Sequence, residues 1–213
     1  MSATLPETNP FANPSPLPAR MPPFAEVKDA DYWPAYEAGM TEQLLEVAAI
    51  TSNPEPPTFE NTIEALERSG QLLSRVATVH FSLTSSDTTP YLEELEVEIA
   101  PLLSAHNDRI ALDSVLYARI RTLLDRIDEL ALTPEQHRLL TRTELQFRLQ
   151  GAALGDLGKE RLGELNQQLA SLSTEFEQNL LADTNDLAEI VRDPQELFGL
   201  GEAGLQLRYL GRR

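Results

Sequence analysis

The chain has 213 residues, 41% hydrophobic and 24% charged, enough for one large globular domain or two small ones. Its formal net charge of −17 repels phosphate backbones and anionic lipid, which argues against nucleic-acid and membrane partners. No cysteine is present, so disulfides, thiolate metal sites and cysteine nucleophiles are excluded; with neither a basic-then-apolar leader nor a long apolar run, the expected location is cytoplasmic.

Residues 1–30 carry Pro6, Pro10, Pro14, Pro16, Pro18, Pro22 and Pro23, which favour extended backbone over helix. We read them as a Pro-rich extended arm, with Phe11, Leu17, Phe24 and Val27 apolar enough to lie along a domain surface. A first helix, capped by Asp29 or Asp31 and tolerating Pro34 in its first turn, is expected to reach about Ile50. Its inward side is Tyr32, Ala35, Tyr36, Met40, Leu44 and Val47.

The stretch from Pro56 to Gly70 carries the clearest local signal. Pro56 and Pro57 stop any preceding helix. Thr58 is placed to cap the next one, and Glu60 puts a negative charge in its first turn. Phe59, Ile63, Leu66 and Leu73 recur near the 3.6-residue period, predicting a helix over about residues 59 to 84.

Thr89 and Pro90 open a third helix running to roughly Ala111, with a kink or break expected at Pro101. Asp113 caps a fourth through Leu130, burying Leu116, Ile120, Leu123, Leu124 and Ile127. Thr133 and Gln136 form a capping box for a fifth helix ending near Ala152. The last helix, about Asp156 to Leu187, carries Leu162, Leu165, Leu169, Leu172, Phe176 and Leu180. That spacing suits packing against another long helix. Ala188 to Val191 is a candidate short strand. The class is all-α, a bundle of about six helices, mostly antiparallel, behind the N-terminal arm.

The chemistry-bearing residues give no active site. His80, His106 and His137 are too far apart in sequence to pair on one helix, and neither His-Glu-x-x-His nor Glu-x-x-His occurs. Glu93, Glu94, Glu96 and Glu98 fan around a helix axis, where carboxylates are ordinarily solvated. No phosphate loop, serine elbow or dinucleotide fingerprint appears, and Gly199-Leu200-Gly201 lacks the third glycine.

Pro57-Thr58-Phe59-Glu60-Asn61-Thr62, with Glu67 and Gly70 behind it, resembles the N-terminal region of thimet-oligopeptidase-like zinc metallopeptidases, in their peptidyl-dipeptidase and oligopeptidase A branch. Asn9-Pro10-Phe11, Pro22-Pro23-Phe24, Pro34-Ala35, Gly39-Met40 and Asn53-Pro54 agree with it. So do Leu116 with Arg119-Ile120, Gly151-Ala152 with Leu154, and Phe176 with Asn179. The resemblance covers about residues 9 to 198 and assigns 31–198 to a helical N-terminal domain.

It implies a helical body split by a deep channel with zinc at its floor, one wall of which is made by the N-terminal helices. The zinc ligands and catalytic glutamate of that family lie in a downstream His-Glu-x-x-His helix with no counterpart here. No catalytic or metal residue carries over, and the substrate-binding residues stay unassigned. Thr58, Phe59, Glu60 and Asn61 are read as structural. The partners implied are a C-terminal catalytic domain and, in the whole enzyme, short peptides and zinc. Self-association through exposed wall surface is a further expectation.

Residues 199–213 fit no family pattern, and Leu205 to Arg213 hold three arginines and no acid. A truncated or frame-shifted chain is the expectation, with a natural short protein as the alternative. The leading reading is a channel-wall domain inactive alone. The competing readings are a stand-alone helical module that binds peptides or proteins without cutting them, and a bundle enzyme working through carboxylates alone.

Overall fold

The computed structural model describes residues 5–187. Among the described residues the fold is an all-α bundle without strands. Its helices are α1 (Asp29–Thr51), α2 (Ala65–Arg68), α3 (Gln71–Thr84), α4 (Pro90–Ala111), α5 (Ser114–Leu124), α6 (Pro134–Leu149) and α7 (Asp156–Asp186). Six of the seven have 11 residues or more. None is long and apolar enough to cross a membrane. The candidate strand at Ala188–Val191 and the tail at 199–213 lie outside the described residues.

Two apolar clusters hold the bundle together, and α1 reaches both. The first joins Phe11 of the N-terminal segment to Tyr32 and Tyr36 of α1, Val76 and Val79 of α3, and Leu92, Leu95 and Ile99 of α4. The second joins Val47 and Ile50 of α1 to Phe59, Ile63, Leu116 and Ile120, and to Leu140 and Phe147 of α6. Each fully buried side chain of this size contributes about 1.5–3 kcal/mol.

Helix starts are set by local chemistry. Thr89 Oγ1 accepts from the Leu92 N–H at 3.3 Å, and Asp113 Oδ1 accepts from both Val115 and Leu116 N–H at 2.8 Å. Thr133 and Gln136 exchange reciprocal bonds of 3.0 and 3.3 Å, a complete capping box. Helix α6 ends where Gly151 adopts φ +95°, a left-handed turn that favours glycine. The Ala152 N–H then reaches the Phe147 carbonyl at 2.9 Å.

Four expected boundaries are corrected. The helix predicted over 59–84 is broken. Phe59–Glu64 is a wide π-type turn, closed by the Ala65 N–H on the Glu60 carbonyl, and the chain leaves helix at Ser69. Gly70 then sits at φ +71° with its N–H on Glu46 Oε2 at 2.7 Å, and a Cβ there would lie 2.4 Å from the Gln43 side chain. Neither Asp29 nor Asp31 is the cap of α1. Lys28 occupies that position, and Asp31 reaches back to accept its N–H at 2.8 Å. Helix α4 continues through Pro101. The carbonyl that the ring deprives of a partner belongs to Val97, a residue that is 49% exposed. Helix α5 ends at Leu124, and Ile127–Glu129 forms a separate 3-10 turn.

The chain comprises two compact units, Met1–Glu175 and Phe176–Arg213. In the first, α1 and α3 approach so closely at Gly39 that an added Cβ would meet the Leu73 Cα and N at 2.8 Å. Backbone cannot yield as a side-chain tip can. Gly39→Ala should therefore cost about 1–3 kcal/mol, read as a lower urea midpoint at unchanged slope. Gly155→Ala, where the methyl meets open space, should stay within about 0.5 kcal/mol.

Candidate functional site

The residues singled out by the sequence lie on the loop and turn between α1 and α2. Thr58 is extended, at φ −122° and ψ 166°, and its Oγ1 accepts from the Asn61 N–H at 3.1 Å. Asn61 returns the bond, its Oδ1 accepting from the Thr58 N–H at 2.8 Å. Phe59 is 4% exposed and enters the second cluster, while Glu60 faces solvent in the first turn.

Asn61, with Thr62 and the loop before the motif, converges on Arg119 of α5, itself 8% exposed. Its Nη2 donates to Asn61 Oδ1 at 3.0 Å, and its Nη1 donates to the Asn53 and Glu55 carbonyls at 3.2 Å each. Its Nε donates to Thr62 Oγ1 at 3.4 Å. All four acceptors are neutral oxygens, so the cation is held by geometry rather than by a counter-charge. Beside it, Glu46, Asn53, Asn61, Arg68 and Ser69 border an open depression of about 340 Å³.

The histidines stay apart, and two of them, His80 and His106, are buried. His80 is fully buried between Tyr36 and Leu92. A carbonyl can only accept, so Nε2–H donates to the Leu92 oxygen at 3.1 Å, and Nδ1 accepts the Tyr36 O–H at 2.8 Å. Burial lowers the His80 pKa and raises that of Tyr36. His106 Nε2 meets Gln43 Oε1 at 2.7 Å, and burial, aided by Arg109, lowers its pKa too. His137 is exposed.

Glu144 is the buried carboxylate that sequence reasoning missed. It accepts from Tyr117 Oη at 3.1 Å and lies 3.3 and 3.4 Å from Arg121 and Arg148. Two cations and a hydroxyl make it a packed junction of α5 and α6. Its i,i+4 spacing to Arg148 was the only signal in the sequence. Of the acidic run in α4, Glu94 and Glu98 are exposed. Among the described residues no group of three or more His, Cys, Asp or Glu could hold a metal ion.

Helix α7 presents the least expected surface. Lys159 Nζ donates to the Leu112 carbonyl at 2.8 Å and to Ser114 Oγ at 2.6 Å, and Asn166 donates to Asp108 Oδ1 at 2.8 Å. Gly163, Ala170 and the buried Thr174 continue this small, polar face. Leu165, Leu169 and Leu172 point elsewhere and are 44%, 63% and 62% exposed. Of the stripe expected to pack against another helix, Leu162 is half-buried beside Gly151, while Leu165, Leu169 and Leu172 are largely uncovered among the described residues.

No family model matches the chain. Its relatives are peptidases. It is 37% identical to the dipeptidyl carboxypeptidase of Escherichia coli (strain K12) over 199 residues, 93% of this chain and 29% of that protein. The dipeptidyl carboxypeptidase of Salmonella typhimurium is 38% identical over 193 residues, 91% of this chain and 28% of its own length. Oligopeptidase A of Escherichia coli (strain K12) follows at 26% over 195 residues, 92% of this chain and 29% of that protein. The chain is a homologue of the dipeptidyl carboxypeptidases and, at lower identity, of oligopeptidase A. It spans less than a third of the length of these relatives.

Thr58→Ala should cost about 1 kcal/mol through the lost cap. Arg119→Met, which leaves several buried oxygens without a donor, should cost about 2–4 kcal/mol. Equal shifts of the two denaturation midpoints would contradict the hub role of Arg119.

The buried histidines give a pH dependence of defined sign. Their folded pKa values lie below the ordinary value, so the unfolded chain takes up protons first as pH falls. Their contribution is complete above about pH 6.5 and is lost as pH drops toward the folded values. NMR titration should find the His80 and His106 rings protonating below the ordinary histidine pKa. Stability should fall less steeply with acid in His106→Gln than in the parent.

Proposed function

We propose that this chain is the N-terminal helical domain of a zinc-dependent oligopeptidase or peptidyl-dipeptidase, without hydrolytic activity of its own. In the whole enzyme it forms one wall of a channel that admits short, unfolded peptides. The observation that carries this reading is the 37% identity to a dipeptidyl carboxypeptidase over 93% of the chain. The uncovered leucines of α7 support it, because a wall domain leaves apolar surface for the remainder of the enzyme.

The residues described do not fit a zinc site, since no sufficient group of ligands gathers among them. No step of hydrolysis is therefore assigned to them. When bound in the whole enzyme, zinc would polarise the scissile carbonyl and activate water. This domain's part is to shape the channel and limit entry. The same leucine surface also suits a stand-alone module that binds peptides or proteins without cleaving them.

The purified chain with stoichiometric zinc should hydrolyse no short peptide, and its melting temperature should not rise, because only a native-state ligand stabilises. Mixing it with the portion of the Escherichia coli dipeptidyl carboxypeptidase that it does not match should restore hydrolysis. Hydrolysis by the chain alone would overturn the reading. Failed complementation together with retained peptide binding would favour the stand-alone module.

A further inference from the structure

The segment before α1 folds back over α3 and forms with it a half-open cavity of about 280 Å³. Its walls include Pro14, Pro22 and Val79, and two arginines, Arg20 and Arg75, line it without any acidic residue. In a chain with 34 acidic and 17 basic residues, a concavity with only cations on its rim runs against the surrounding charge. Arg75 is anchored rather than free to swing. Its Nε donates to the Phe11 carbonyl at 3.0 Å and its Nη2 to the Ala12 carbonyl at 3.2 Å. Nη1 enters none of these bonds. Glu42 is the acid whose charge acts on it, and no ion pair forms between them.

The backbone at Arg20 adds a second observation. Ala19 and Arg20 both adopt φ of 56°, a left-handed conformation that L-residues populate sparsely. The Met21 N–H bonds the Pro18 carbonyl at 3.2 Å and closes the turn that sets Arg20 at the cavity. Such a conformation at a charged residue is a recognised accompaniment of a ligand clamp.

We propose that this cavity binds a carboxylate carried on a short apolar stem. The carboxylate would lie between the Arg20 and Arg75 guanidiniums, and the stem against Pro14, Pro22 and Val79. Paired guanidiniums hold a carboxylate through charge-assisted hydrogen bonds, and the proline surface accepts apolar groups without losing side-chain freedom. The C-terminus of a short peptide and a free aliphatic acid share this chemistry.

The test is an NMR titration of the full 15N-labelled chain with N-acetyl-Ala-Phe, with its C-terminal amide, and with hexanoate. The peptide acid should shift amides in 11–23 and 71–79, and the amide should bind about tenfold or more weakly, since it lacks the charge. Hexanoate binding as well as the peptide acid would identify a general apolar-acid site, and peptide acid alone a site for peptide C-termini. Arg20 is exposed, so Arg20→Gln should weaken binding about tenfold at an unchanged melting temperature. Arg75→Lys keeps the charge but not the fork and should weaken binding as well. Acid and amide binding alike, neither acid binding, or Arg20→Gln binding as tightly as the parent would overturn the proposal.

Discussion

A single buried cation organises the region on which the second core depends. Removing a guanidinium from water is costly unless every donor finds an oxygen. Arg119 places four of its five N–H donors on two backbone carbonyls, an amide and a hydroxyl, all from residues 53–62. Because none is a carboxylate, the attraction is short-ranged and directional, and it ties the loop, in its observed conformation, to α5 at four points. That conformation places Thr58 to cap the next turn and directs Phe59 and Ile63 into contact with α5 and α6. Helix α1 completes the arrangement from the other side. Its first half belongs to the cluster around His80, and its second half, through Val47 and Ile50, to the cluster beside Arg119.

The parts of this fold legible in the sequence are those decided within a few residues. Thr89-Pro90, Asp113 and Thr133-x-x-Gln136 mark helix starts because a side-chain oxygen and an amide three positions on must meet whatever the rest of the chain does. The break at Ser69-Gly70 was hidden by a regular apolar period. It is fixed by Glu46 and Gln43, some two dozen residues earlier, which leave room only for glycine and draw its N–H out of the helix. Pro101 misled in the opposite sense. A proline inside a helix is disfavoured through one lost bond and one crowded carbonyl, and both fall here at Val97, which is 49% exposed.

The same division holds for the candidate site. Thr58, Phe59 and Asn61 were visible as a motif, but Arg119 was named only as part of a resemblance. Nothing local announces that a helix-borne arginine will turn inward to meet carbonyls more than sixty residues before it. Gly39 is similar. Its neighbour across the interface is the backbone of Leu73, and only the three-dimensional crossing of α1 and α3 shows why a side chain is excluded.

Periodicity in α7 identifies an apolar face and says nothing of what covers it. The structure separates the two questions. Helix α7 docks through Lys159, Gly163, Asn166 and Ala170, residues whose small size or hydrogen bonds allow close approach, while Leu165, Leu169 and Leu172 lie on another side. Had burial of leucine dictated the rotation of this helix against α4 and α5, the stripe would have turned inward. That it does not means the polar contacts and the shape of the small face fix the rotation. The leucines are then only partly covered by this chain's described residues and keep apolar area available for another surface. A helix so oriented is held where it is by its polar face and is incomplete in what it buries among the described residues.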